Sequence, residues 1–107
     1  MLRVLIAEDS ITCRDLLIAL VESDPELEVA GTAANGLQAI EQVKQLQPDV
    51  VIMDIHMPVL DGFEATRRIM VERPTPIVIV SASVDVHEAT VSMHALRVGA
   101  LTLLMEA

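Results

Sequence analysis

Aromatic residues are almost absent: Phe63 stands alone among 107 residues, with no tryptophan and no tyrosine. A core without rings must be built from Val, Ile, Leu, Met and Ala, a set that suits strands buried on both faces of a parallel sheet. Cysteine is scarce too. Cys13 is the only one, which excludes an internal disulfide and fits a reducing compartment. Basic residues number seven against sixteen acids, a formal charge of −9. So acidic a chain has no general attraction to phosphate backbones or anionic membranes, and direct binding of nucleic acid is not expected. Long hydrophobic runs are missing as well. Leu16 to Val21 is among the longest, far short of the ~20 residues of a membrane span, and no basic segment followed by an apolar stretch opens the chain. Linkers, internal repeats and low-complexity segments are also lacking. These absences leave one soluble, cytoplasmic domain covering residues 1–107, a length at which roughly two thirds of the extended surface is buried on folding.

What is present centres on Asp49 to Gly62, DVVIMDIHMPVLDG. Val50, Val51, Ile52 and Met53 form an apolar run that fits a buried strand, and Asp54 closes it. Pro58 and Gly62 punctuate the loop that follows. The first strand is built alike: Arg3-Val4-Leu5-Ile6-Ala7, then Glu8-Asp9. Carboxylates at the C-terminal ends of parallel strands stand where open α/β sheets build their sites. A βαβ crossover between two such strands lays them side by side and gathers Glu8, Asp9 and Asp54 at one edge.

The rest of the chain alternates between helical and strand patterns. Ser10 is a natural N-cap for a helix with Ile11, Asp15, Leu16, Ala19 and Leu20 at its start, running to about Ser23 and broken by Asp24-Pro25. Leu27 to Ala33 is a weak, alternating second strand suited to an edge. Asn35-Gly36 reads as a turn, Leu37, Ile40, Val43 and Leu46 recur at helical spacing, and Pro48 stops that helix. A third helix begins at Asp61 with Glu64 three residues on, as in a capping box. Phe63, Thr66, Ile69 and Met70 are expected on its inner face, with Arg67 and Arg68 outward. Ile77 to Val80 is a fourth strand closing on Ser81-Ala82-Ser83. Val86, Ala89, Met93 and Leu96 mark a fourth helix with Gly99 at its end, and Ala100 to Leu104 a fifth strand. The order βαβαβαβαβ means a parallel sheet with helices on both faces. No fifth helix follows to cover the last strand. The expectation is a C-terminally truncated chain or a partner on the bare sheet face, with a homodimer through that face as a consequence.

Three converging carboxylates repel one another and raise one another's pKa unless a cation intervenes. Hard oxygen donors suit Mg²⁺, which takes one or two carboxylates and accepts a phosphoryl oxygen. A solvated acidic rim, common at strand ends, is the plain alternative, and spacing alone does not separate the two.

The Glu8-Asp9-Ser10 turn, MDIHMPVLDG with Asp54 and Pro58, and Ser81-Ala82 after the fourth strand, all in register, resemble the receiver domain of bacterial two-component response regulators, over essentially the whole chain. The resemblance implies a flavodoxin-like, doubly wound five-stranded sheet of order 2-1-3-4-5. It implies that Asp54 is the phosphoacceptor, taking a phosphoryl group from a sensor histidine kinase. It implies that Asp9 binds Mg²⁺ directly and Glu8 chiefly through water, with Asp54 and the backbone carbonyl of His56 completing the shell. Ser81 would hydrogen-bond the phosphoryl oxygens and pass the change to an output domain or protein target. RPTPIVIVSAS followed by VSMHALRVGAL is similar to the regulatory domain of chemotaxis protein-glutamate methylesterases. Since no linker or Ser-His-Asp hydrolase domain follows, the expectation is a phosphoacceptor signalling domain and no enzyme. One departure stands out. Receivers normally carry Lys-Pro after the fifth strand, where this chain has Glu106 and Ala107, and Leu103 replaces the usual aromatic.

Three features invite chemistry and are read more plainly. His87 and His94 lie on a helix surface without an acid or cysteine to complete a zinc set. Cys13 has no base beside it. Ser81 and Ser83 lack the G-x-S-x-G turn of a nucleophilic serine. Two rival functions remain: a phosphorylation-independent interaction module disabled by Glu106, and an aspartyl phosphatase, a class that usually carries a second acid where this chain has His56 and needs a cap that no segment here supplies.

Overall fold

The structure is a computed structural model, and it describes residues 1–80. Four strands and three helices alternate: β1 (Leu2–Ala7), α1 (Ile11–Glu22), β2 (Leu27–Ala33), α2 (Gly36–Leu46), β3 (Val50–Asp54), α3 (Gly62–Glu72) and β4 (Ile77–Val80). All pairings are parallel and the order is β2-β1-β3-β4, the arrangement of the flavodoxin-like fold as far as the described residues extend. The expected fourth helix, fifth strand and uncovered sheet face lie outside them. So do Ser81, Ser83, His87, His94, Gly99, Leu103, Glu106 and Ala107. Among the described residues no helix is long and apolar enough to cross a membrane.

Successive strand residues point to opposite faces, and the sheet uses both. Leu5, Ala7, Val51, Met53, Ile77 and Ile79 face α2 and α3, joining Ile40, Val43, Ala65 and Ile69 in one core. Val4, Ile6, Val50, Ile52, Val78 and Val80 point the other way, into a core that includes Leu17 and Val21 of α1. This is why β3 is an unbroken apolar run: every one of its residues is buried.

The edge strand β2 departs from simple alternation. Val4 pairs with Val29 but Leu5 with Gly31, so Ala30 is an extra residue and the register shifts. The bulge switches the parity of the strand. Leu27 and Val29 contribute to the α1 face, whereas Ala33, also at an odd position, is buried on the α2–α3 face.

Helix starts follow the expected chemistry, with one correction. Ser10 caps α1 by accepting from the Cys13 N–H at 3.3 Å, and Asp61 caps α3 by accepting from the Glu64 N–H at 2.8 Å. The capping box is half made, since the Glu64 carboxylate is engaged by Arg67 and Arg68 instead. Asn35-Gly36 is not a free-standing turn: Asn35 is the N-cap of α2, accepting from the Gln38 N–H at 2.9 Å. At the opposite end of the sheet Arg3 donates to the Leu46 carbonyl at 2.6 Å and, through its N–H, to Asp49 at 2.7 Å, tying the end of α2 to β1.

Helix faces were harder to read. On α3 the buried residues are Gly62, Ala65 and Ile69, while Phe63 and Met70 are nearly half exposed, contrary to expectation. On α1 the buried pair is Leu17 and Val21, and Ile11 and Leu16 are exposed. On α2 Leu37 is likewise exposed, and Ala39 takes the inner position. On α2 and α3 the reason is close approach to the sheet: the small Gly36, Ala39, Gly62 and Ala65 share the contact line, and Leu37, Phe63 and Met70 lie at its margins.

Two glycines make the closest approaches. A Cβ on Gly62 would lie 2.1 Å from the Asp54 carbonyl oxygen, and one on Gly36 would lie 2.2 Å from the Leu60 carbonyl oxygen. Both clashes are with backbone. At Gly31 the nearest atom, 2.6 Å away, is the flexible tip of Leu46. Gly62→Ala and Gly36→Ala are therefore expected to cost about 2–3 kcal/mol each, the upper range for overpacking. Gly31→Ala is expected to cost less than half as much; urea denaturation followed by circular dichroism checks this order.

Candidate functional site

The β1–β3 register sets the site. Ala7 pairs with Met53, so Glu8 and Asp54 are the next residues along two adjacent parallel strands. Both follow the parity of residues facing α1, namely Val4 and Ile6 on one strand and Val50 and Ile52 on the other. Connections leave β1 toward β2 on one side and β3 toward β4 on the other, so the acids stand at the switch point of the sheet. Carboxylate oxygens of Glu8, Asp9 and Asp54 all lie within 4.8 Å of one another. The convergence expected from sequence is therefore present.

Their exposure was not anticipated. Asp54 does not surface at the strand end: it is 1% exposed, and Glu8 is 2% exposed, whereas Asp9 is open to solvent. Asp54 Oδ1 is buried and finds no hydrogen-bond partner among the described residues. Glu8 is better held. Its N–H donates to the Ala33 carbonyl at 2.9 Å, its Oε1 accepts from the Ser10 N–H at 3.0 Å, and its carbonyl accepts from Arg14 Nη1 at 3.2 Å.

The loop after Asp54 is fixed at both ends. Ile55 donates to the Val80 carbonyl at 3.0 Å and accepts from the Gly62 N–H at 2.8 Å, and Leu60 accepts from the Gly36 N–H at 3.1 Å. Ile55 and Met57 are buried in the α2–α3 core, and His56 between them is exposed. Such alternation turns the His56 side chain outward, while its backbone N–H pulls the Asp54 carboxyl toward its ionised form. Val59 holds φ at 70°, an unusual backbone for a β-branched residue and a local strain within the loop.

Electrostatics follow from burial. Desolvation pushes the Glu8 carboxyl up to about 7; the Ser10 N–H opposes the rise, and the Asp54 and Asp9 charges add to it. Asp54 is also raised, chiefly by burial, against the pull of hydrogen bonds from Glu8 and the His56 N–H. Burial thus disfavours ionising both carboxyls together. A buried oxygen unpartnered among the described residues, two buried carboxyls that resist ionisation together and an exposed third at the rim form an all-oxygen donor set that fits Mg²⁺. The fit favours a cation over a merely solvated rim.

Sequence reading found the three acids and missed Arg14, which touches Glu8, and the close glycine contacts. Arg14 lies six residues after Glu8, one turn into α1; that spacing was its only signal. The sequence also suggested the His56 carbonyl as a ligand; what the structure adds is the role of its N–H.

Comparisons with known proteins place this geometry. Residues 4–105 match the family described as "Response regulator receiver domain". A protein-glutamate methylesterase/protein-glutamine glutaminase of Anaeromyxobacter dehalogenans is 53% identical over 97% of this chain, and the chain spans 30% of that protein. The response regulator domain of Thermotoga maritima CheB is 39% identical with a TM-score of 0.78, covering 98% of this chain and 78% of that one. The CheX-CheY-BeF3-Mg+2 complex of Borrelia burgdorferi is 27% identical with a TM-score of 0.74, covering 99% of this chain and 78% of that one. The methylesterase corrects the expectation of no enzyme. That expectation rested on finding no hydrolase domain in 107 residues, yet those residues correspond to only 30% of an enzyme of this kind.

A raised carboxyl pKa carries a definite sign. Protonated Glu8 stabilises the metal-free fold fully below about 4.5, its ordinary value, and that contribution is lost as pH rises through about 7. In chelator, Glu8→Gln is expected to gain stability relative to the unsubstituted chain as pH climbs through this window, read as urea midpoints at each pH. Asp54→Asn, which removes the buried charge, is expected to raise metal-free stability at pH 7.5 by about 1–2 kcal/mol and to erase any stabilisation by added Mg²⁺.

Proposed function

The chain belongs to the response regulator receiver family, and from that premise we propose that it is the phosphoacceptor regulatory domain of a cytoplasmic chemotaxis protein. The observation that carries this reading is the Asp54 carboxylate: buried at the end of β3 beside two further acids, with an Oδ1 that has no hydrogen-bond partner among the described residues. The surrounding fold already holds that oxygen in place, which is what a positioned nucleophile needs.

In the proposed reaction one Asp54 carboxylate oxygen attacks the phosphorus of a phosphohistidine on a sensor histidine kinase. A P–O bond forms, the P–N bond breaks, and the imidazole leaves with the electron pair and takes a proton from solvent. The product is an acyl phosphate on Asp54. The chain's residues act by position and charge. Glu8 and Asp9, with Asp54 and the His56 carbonyl, would hold Mg²⁺. When bound, Mg²⁺ supplies positive charge that offsets the carboxylates and the phosphoryl oxygens. The His56 N–H orients the Asp54 carboxyl, and the two glycine contacts keep the loop against the helix starts. Ser81, at the residue following β4, would accept the role of hydrogen-bonding the phosphoryl group.

The Borrelia burgdorferi complex, which contains BeF3 and Mg, supports a phosphoryl-like group and a divalent cation on a chain of this fold. The methylesterase relative supports an output partner of that enzymatic kind.

Incubation with a small phosphodonor such as acetyl phosphate and Mg²⁺ is expected to add one phosphoryl group, labile to hydroxylamine and detected by mass spectrometry. Asp54→Asn is expected to abolish the adduct, and chelation of Mg²⁺ to slow its formation at least tenfold. An intact chain that takes up no phosphoryl group, or an Asp54→Asn variant that still does, defeats the reading in favour of a phosphorylation-independent module.

A further inference from the structure

The three acids are aimed by different means. Asp54 is the last residue of a fully buried strand. Glu8 is held through its N–H by Ala33 and through its carboxylate by Ser10. The Asp9 side chain accepts no hydrogen bond from any described residue and is exposed, so only its backbone directs it. The peptide linking Glu8 to Asp9 is therefore the element that sets where the Asp9 carboxylate points. One side chain grips that peptide: Arg14, on α1, donates from Nη1 to the Glu8 carbonyl at 3.2 Å.

The described bases that form ion pairs are engaged away from the acidic cluster: Arg3 with Glu28, Lys44 with Glu72, and Arg67 and Arg68 with Glu64. Arg14 forms no salt bridge with a described acid, although it lies beside a cluster of them. Its charge is not a leading influence on either buried carboxyl. What remains is geometry. Glu8 lies one step past the last β1–β3 partner pair. Its carbonyl sits in a residue that is 2% exposed, so a missing donor would leave a buried acceptor unsatisfied.

We propose that Arg14 is a positioning residue of the cation site: by holding the Glu8 carbonyl it fixes the Glu8–Asp9 peptide and thereby the approach of Asp9 to the cation. The proposal rests on the phosphoacceptor reading and adds to it a residue outside the acids. Groups that hydrogen-bond a metal's ligands typically contribute about 10–100-fold in metal affinity, and a clamp on a ligand's backbone falls in the lower part of that range.

The test uses the whole chain with Mn²⁺ as a spectroscopic stand-in for Mg²⁺. Arg14→Gln is expected to weaken Mn²⁺ binding, followed by electron paramagnetic resonance, about tenfold. The Mg²⁺ concentration giving half-maximal phosphorylation by acetyl phosphate should rise by a similar factor, with the rate at saturating Mg²⁺ within twofold. Arg14→Lys, which retains a cationic donor on a shorter fork, should fall between the two. A role confined to folding would lower the urea midpoint while leaving the folded protein's Mn²⁺ affinity unchanged, and that result overturns the proposal. Wild-type Mn²⁺ affinity in Arg14→Gln also overturns it, as does an equal loss of rate at saturating Mg²⁺. If Arg14→Gln fails to fold, Arg14→Lys decides: weakened Mn²⁺ binding at an unchanged urea midpoint supports the clamp, and unchanged binding rejects it. Failure of the unsubstituted chain to bind Mn²⁺ or take up a phosphoryl group is a different outcome, since it removes the phosphoacceptor reading and the clamp with it.

Discussion

The parallel register of β1 on β3 is the constraint from which the site follows. With Ala7 opposite Met53, Glu8 and Asp54 become neighbours at the sheet edge on the same face. A slip of one residue would send one acid to the α2–α3 side. The register is enforced by burial: each strand carries apolar residues of both parities into two separate cores, so a slip would have to exchange both sets at once. The site is thus positioned by hydrophobic packing that takes no part in its chemistry.

That packing holds together an arrangement electrostatics opposes. Two buried carboxyls and a third at the rim repel one another, and Glu8 is driven to about 7 as a result of burial and its neighbours. An oxygen of Asp54 without a partner among the described residues adds a further unfavourable contribution. Such groups persist in folded proteins mainly where function requires them, and the stability they forgo is supplied by the rest of the core. A divalent cation held by these acids would offset both penalties together, because its charge would compensate the carboxylates and it would take up that oxygen.

Much of the molecule was legible in the sequence because the relevant signals are local. Apolar runs ending in acids gave β1 and β3, and Ser10 and Asp61 announced helix starts that the structure confirms. What was not legible depends on distances between elements. Phe63 and Met70 read as the inner face of α3 by size and spacing, yet Ala65 and Gly62 hold the contact line and the larger residues are displaced outward. The β2 bulge is similar: Leu27, Val29 and Gly31 alternate in the sequence, and only pairing with β1 reveals that the strand changes face at Ala30. The reading of no enzyme failed for another reason, since residues within one stretch carry no information about a domain beyond it.

Arg14 and the two glycines belong to this second category, and they show how the scaffold enters the site. Gly62 lets the start of α3 approach the Asp54 carbonyl, and Gly36 lets the start of α2 approach Leu60. Arg14 brings α1 to the Glu8 carbonyl. Each helix thus reaches one backbone carbonyl at or near the acidic edge, from either face of the sheet, and in every case the contact is to main chain. Main-chain contacts fix where the acids sit without competing for their oxygens, which leaves the carboxylates free to face a cation.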